Sequence, residues 1–199
     1  MRTNQIDEES WTNQGTKAEM LKQYAGWNET VRHLISYVPE GEVIEWTLNS
    51  HIPLHSWVEN KFVLVGDSCH PMLPYVAQGA ANAIEDAAVL TVALSLICST
   101  DEIRSALSVY ETIRKARGEA IQASACSTQK ALHLPDGPEQ EERDRKIKQS
   151  SMNATTQRNP DLWADQQWQD FMWGVDVMKE TFKTFEELID RQQILATML

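Results

Sequence analysis

Cysteine is scarce in this chain. The three present, Cys69, Cys98 and Cys126, are too few and too widely spaced for a disulfide framework, which fits a reducing compartment. Positive charge is also short: 18 Lys and Arg stand against 29 Asp and Glu, giving a formal net charge of −11 and an isoelectric point near 4.9. A field of that sign repels phosphate backbones, so no nucleic-acid partner is expected. Long apolar runs are missing. The longest, from Ala87 to Cys98 (AAVLTVALSLIC), is broken by Thr and Ser and falls short of the ~20 residues of a membrane span. The opening MRTNQIDEES is polar and acidic where a secretory signal would be basic and then apolar. The expectation is a soluble, cytoplasmic protein with no membrane partner. What remains is 42% hydrophobic residues over 199 positions, the composition of a globular chain rather than a disordered or collagen-like one, with no internal repeat.

Periodicity gives a coarse organisation. From Lys17 to Val38, Met20, Leu21, Tyr24, Val31, Leu34 and Ile35 recur near helical spacing and predict one or two short helices. Residues 42–48 (EVIEWTL) alternate, with β-branched and aromatic enrichment, as a half-buried strand does. After Pro53 and the turn at Glu59-Asn60, the all-apolar run Phe62 to Val65 leads into Gly66-Asp67 and reads as a parallel strand covered on both faces. The next fifteen residues, SCHPMLPYVAQGAAN, hold Pro71, Pro74 and Gly79 and predict a long functional loop. An Ala- and Leu-rich buried helix is expected over 82–99, with Glu85 and Asp86 in its first turn. A second helix should start near Asp101, capped by Ser99 or Thr100, and run towards Leu132 with Arg104, Glu111, Arg114, Lys115 and Glu119 outward. Leu134-Pro135-Asp136-Gly137-Pro138 stops it. The run EQEERDRKIK is then a solvated loop or an exposed helix, and the Trp-rich tail from Pro160 is helical or turn-rich.

Strand, Gly-Asp, Pro/Gly loop and helix in that order make half of a nucleotide site. In an open parallel sheet, ligands sit beyond the carboxyl ends of the strands, where Asp67 would offer acceptors to sugar hydroxyls. The small residues Ala77, Gly79, Ala80 and Ala81 let backbone N–H groups approach a ligand, and a helix start favours an anion. The plainer alternative, in which Asp67 caps a turn and Gly79 is a loop glycine, fits the residues equally well. Asp67, Cys69 and His70 are close enough to suggest metal ligands, but no second ligand pair accompanies them, so no metal is expected. Ser68 is not in a GxSxG elbow. His51 and His55 read as structural residues of a connector. The seven Trp (11, 27, 46, 57, 163, 168, 173) read first as packing residues, with Trp46 alone near a substrate sheet. Arg114 and Arg117 are expected to pair with acids or cap carbonyls.

The string Val65-Gly66-Asp67-Ser68-Cys69-His70-Pro71-Met72-Leu73-Pro74, followed by Ala77-Gln78-Gly79-Ala80 and Ala83-Ile84-Glu85-Asp86-Ala87, resembles the second flavin motif of the single-component FAD-dependent aromatic hydroxylases. The branch it resembles most is that of the salicylate-hydroxylase-like monooxygenases of fungal metabolism. The likeness extends to Trp46-Thr47-Leu48, His51-Ile52-Pro53-Leu54 and Trp57 before the motif. After it, Tyr110-Glu111, Arg114, Arg117, Ile121-Gln122 and the HLPDGPEQEERD segment also match.

The resemblance implies an α/β fold: a partial FAD-binding domain with a remnant of the substrate sheet and a helical C-terminal tail. The corresponding segments are 1–50, 51–135 and 136–199. It implies that Asp67 hydrogen-bonds a ribityl hydroxyl of FAD and that Pro71, as the catalytic-site residue, lies over the isoalloxazine. Gln78, Gly79, Ala80 and Ala81 would meet the pyrimidine edge and pyrophosphate through backbone N–H groups, and Cys69 and His70 are left as loop residues. The implied activity is NAD(P)H- and O2-dependent hydroxylation of a small aromatic or polyketide-type metabolite in secondary metabolism. That family opens with a strand–GxGxxG–helix unit, and the eight glycines here (15, 26, 41, 66, 79, 118, 137, 174) contain no such spacing. The match is therefore to the C-terminal part, with the ribityl and ring half of the FAD site. A non-redox descendant, acting as a metabolite-binding cyclase or isomerase or as a partner subunit, is the alternative. Apolar faces left bare on 42–48 and 82–99 would favour self-association or a covering partner chain.

Overall fold

The computed structural model describes residues 12–152 and 159–197. Trp11 lies outside the described residues. The chain divides into two units, Met1–Asn49 and Ser50–Leu199.

In the first unit, strand β1 (Thr12–Gln14) pairs antiparallel with β2 (Ile44–Trp46), Asn13 facing Glu45. The Gly15 N–H extends the ladder to Val43 O at 2.9 Å, and Gln14 Nε2 ties down the carbonyls of Gly41 and Val43. Between the strands lie α1 (Lys17–Gln23), whose Thr16 cap accepts the Glu19 N–H, and α2 (Glu29–Ser36), whose Asn28 cap accepts the Val31 N–H. One or two short helices were expected here and two form. The strand over 42–48 is corrected. It shortens to three residues, and its apolar side chains are exposed, Ile44 at 58% and Trp46 at 69%. A two-stranded ribbon buries little on either face, and α1 and α2 contribute no buried residue to cover it.

The second unit opens on a tight hairpin, β3 (Val58–Glu59) with β4 (Phe62–Val63), turned at Asn60 in the left-handed region (φ 57°). The run over Phe62 to Val65 is thus not a parallel strand covered on both faces. It is the return arm of an antiparallel hairpin, with Phe62, Leu64 and Val65 exposed. Four apolar residues in a row do not distinguish a central strand from a hairpin arm, and the turn at Asn60 decides it. Among the described residues the sheets are small and antiparallel and the fold is mostly helical, which corrects the expectation of a parallel α/β sheet.

Helix α3 (Gly79–Ser95) starts three residues earlier than expected, so Glu85 and Asp86 lie beyond its first turn. Its buried stripe, Asn82, Asp86, Val89, Val92 and Ala93, runs at helical spacing down one face, polar at the start and apolar later. Ile84 and Leu94 face solvent, so α3 is half-buried rather than enclosed. After a 3-10 turn capped by Ser99, α4 (Ile103–Leu132) forms the spine of the unit. Three apolar clusters lie along it: Ala106 and Val109 with Ala93 and Phe185; Tyr110 with Trp57, Cys69 and Val89; Ile121 and Ala125 with Leu73, Val76 and Met172. Arg114, assigned to its outer face from the sequence, is fully buried. The break expected at Leu134 to Pro138 is present, α4 ending at Leu132, and EQEERDRKIK lies in helix α5 (Pro138–Met152). Asp165 caps α6 (Gln166–Trp173), and α7 (Val177–Thr197) packs on α3 and α4. No helix among the described residues is long and apolar enough to cross a membrane.

Candidate functional site

The segment between β4 and α3 is built on one glycine. Gly66 takes a positive φ of 58° and turns the chain into a 3-10 turn, Gly66–Ser68, in which Ser68 Oγ bonds both the N–H and the carbonyl of Val65. Asp67 is thereby exposed, with no hydrogen bond or ion pair among the described residues. A second 3-10 turn, Pro74–Val76, ends on Ala77 in the left-handed region (φ 51°), and α3 begins two residues later. Asp67, Met72, Leu73, Pro74, Ala77, Gln78, Gly79, Ala80 and Ala83 line an open cleft of about 650 Å³, large enough for part of a cofactor.

Three observations make this cleft receptive to a polar, partly anionic ligand. No side chain caps α3, so the first-turn N–H groups of Gly79, Ala80 and Ala81 have no intrahelical partner. Gln78 is 4% exposed, and its buried Oε1 has no hydrogen-bond partner among the described residues. A Cβ placed on Gly79 would meet only Met72 Cγ, at 3.9 Å, so the helix start is open towards the cleft. Unpaired acceptors at Asp67 and Gln78, free donors at a helix start and a wall of Met72, Leu73 and Pro74 fit the ribityl and ring portion of FAD.

Beneath the cleft lies a buried ionic network. Arg114 donates from Nε to Asp86 Oδ1 (2.7 Å), from Nη2 to the side chain and carbonyl of Asn82, and from Nη1 to Glu85. Arg117 forms a two-pronged pair with Glu85, at 2.8 Å for each prong, and bonds the carbonyls of Phe171 and Met172. Asp86 Oδ2 accepts from the Gly66 N–H (2.8 Å) and bonds His70 Nε2 (2.7 Å). The network thus ties the glycine that presents Asp67 to the first turns of α3. Burial works against charge on Asp86, but His70, Arg114 and the Gly66 N–H outweigh it and hold the carboxyl below the usual range. Glu85 is likewise lowered, burial being overcome by Arg117 and Arg114. For His70, burial would lower the pKa, yet Asp86 and Cys69 push it up to about 9. The Tyr110 hydroxyl, raised by burial and by the Asp86 charge, stays protonated and donates to Leu64 O.

The residues expected from the sequence fall into place unevenly. Asp67, Gln78, Gly79 and Ala80 line the cleft; Ala81 belongs to the first turn of α3 and Pro71 adjoins Met72, but neither is among the lining residues. Cys69 and His70, read as loop residues, lie in the irregular segment between the two 3-10 turns and are fully buried there. With Asp86 they form a triad of potential metal ligands within 4.8 Å. Both Asp86 oxygens are already engaged, and the Arg114 guanidinium beside them disfavours a second cation, so the triad is part of the ion-pair network. Arg114 and Arg117 pair with acids and cap carbonyls, as expected. Sequence reasoning missed Gly118: a Cβ there would come within 2.8 Å of Trp57 Cη2 and 3.2 Å of His70 Cδ2. A glycine inside an otherwise helical run was the available signal.

A family model described as an FAD binding domain matches residues 4–125. A FAD-dependent monooxygenase, atnJ of Arthrinium sp, is 39% identical over 181 residues, covering 91% of this chain and 41% of that protein. The 6-hydroxynicotinate 3-monooxygenase of Bordetella bronchiseptica is 44% identical over 113 residues, or 57% of this chain and 28% of that protein. Among solved structures, a salicylate hydroxylase substrate complex superimposes with a TM-score of 0.70 at 22% identity, over 92% of this chain and 41% of that one. Native FqzB superimposes with a TM-score of 0.70 at 25% identity, over 96% and 41%. The chain spans about two fifths of the length of the Arthrinium relative and of both solved structures.

Proposed function

Because the chain belongs to the FAD-binding-domain family, we propose that its cleft holds the ribityl and ring side of FAD and that it serves NAD(P)H-dependent hydroxylation of a small aromatic or polyketide-type metabolite. Bound FAD would supply the redox chemistry, with NAD(P)H as reductant and O2 as the source of the transferred oxygen. The chain's own residues bind and orient. Asp67 accepts from ribityl hydroxyls. The N–H groups of Gly79, Ala80 and Ala81, at the positive end of α3, face the electron-rich edge or phosphate of the ligand. The Gln78 side-chain amide, whose Oε1 has no partner among the described residues, bonds the ligand. Met72, Leu73 and Pro74, next to Pro71, form the wall that keeps water from the ring.

One observation carries this reading: the unpaired Asp67 and Gln78 acceptors meet an uncapped helix start in one cleft. The aromatic substrate class is supported by the similarity to the 6-hydroxynicotinate 3-monooxygenase of Bordetella bronchiseptica. The test is a titration of the purified chain with FAD, followed by visible absorption and then by NAD(P)H oxidation in the presence of candidate aromatic acids. A flavin band that rises to saturation is expected, and a chain that stays colourless rejects the reading. Product formed without flavin or NAD(P)H would favour the cyclase or isomerase alternative.

A further inference from the structure

Gln122 lies on the buried face of α4, 3% exposed. Its Nε2 donates to the carbonyls of His51 and Pro71, at 3.0 and 2.9 Å, and Ser50 Oγ adds a bond to Pro71 O at 3.3 Å. Neither carbonyl belongs to a helix or a strand ladder, and these are the hydrogen bonds that hold Pro71 among the described residues. Two irregular segments, 50–52 and 70–74, are thus fastened to one amide on a rigid helix. The Gln122 Oε1, in contrast, is buried and has no partner among the described residues. An orphaned buried carbonyl costs free energy, so a residue needed only for packing would be better served by Met or Leu.

Resting on the flavin reading of the cleft, we propose that Gln122 is a positioning residue. Its amide fixes the Pro71 carbonyl and thereby sets the wall of Met72, Leu73 and Pro74 against which the flavin ring rests. The role requires two N–H donors at the end of a four-atom side chain. A glutamate of the same shape has none when ionised and turns negative charge on two carbonyl oxygens; a methionine keeps the length without polarity.

The test compares the full chain with Q122M, Q122E and, as a control on the same helix, S124A, which removes only the Ser124 bond to Ile121 O. Hydrogen exchange and FAD titration with visible spectra are the readouts. Both Gln122 variants are expected to raise exchange across residues 69–79 by about tenfold, leaving 103–114 unchanged, and to weaken FAD binding by about tenfold with a displaced flavin band. S124A should do neither. Unchanged exchange over 69–79, a rise spread evenly along α4, or variants that bind FAD with wild-type affinity and spectrum would overturn the proposal. A wild-type chain that takes up no FAD would instead overturn the flavin reading and the flavin role of Gln122, while localised exchange would retain Gln122 as the clamp on Pro71.

Discussion

Asp67 and Gly79 can each be changed without disturbing the core, because one side chain is free and the other position is open towards the cleft. Asp67→Ala is expected to weaken FAD binding by about tenfold, the worth of one hydrogen bond to a charged acceptor, with the thermal midpoint unchanged. Gly79→Val should weaken binding at least as much by filling the space at the helix start, again with little loss of stability; fluorescence titration beside thermal melts separates the two effects. Gly118→Ala is expected to behave in the opposite way. Its new methyl would press on the rings of Trp57 and His70, so the gain in helix propensity is outweighed by overpacking of roughly 1–3 kcal/mol, read from urea unfolding. His70 predicts a pH dependence. Its folded pKa of about 9 lies above the ordinary 6.5, so its contribution to stability is complete below about pH 6.5 and is lost as pH rises towards 9. The urea midpoint of the wild type should therefore fall across that window, and that of His70→Gln should be flatter.

The pairing of α3 with α4 is what gives the cleft a fixed floor. Arg114→Met would leave Asp86 buried and fully enclosed with one of its two cationic partners gone, an expected cost of about 3–5 kcal/mol by urea unfolding. Arg117→Met should cost less, since its partner Glu85 keeps 19% of its side chain exposed to water. At this scale the sequence was legible where one residue type has one local use. Ser99 at a cap, Pro135 and Gly137 after a helix, and alternating helical spacing along 103–132 led to the right elements. It misled where tertiary partners decide. Phe62 to Val65 could be either a central strand or a hairpin arm, and Arg114 looks like an outer-face charge until Asp86 and Asn82 on the facing helix are seen to enclose it. The cleft was legible because Gly66-Asp67 and Gln78-Gly79-Ala80 are each a short contiguous motif. The Gln122 clamp was not, because it joins segments some fifty and seventy residues apart.

At the scale of the whole chain, apolar side chains remain in water: Phe62 at 79%, Ile84 at 70% and Leu94 at 43% exposure. Light scattering is expected to show an apparent mass that grows with concentration, and Phe62→Glu combined with Ile84→Glu should reduce that growth. A strictly monomeric wild type at all concentrations would contradict this. The chain also carries two opposed fields. Its formal net charge is −11, yet the buried cluster of His70, Arg114 and Arg117 against Glu85 and Asp86 leaves one positive charge beneath the cleft at neutral pH. An anion approaching from bulk solvent is repelled at long range and attracted only on arrival. Added salt screens the distant repulsion far more than the desolvated attraction, so for this acidic protein ionic strength should quicken the capture of an anionic ligand rather than slow it.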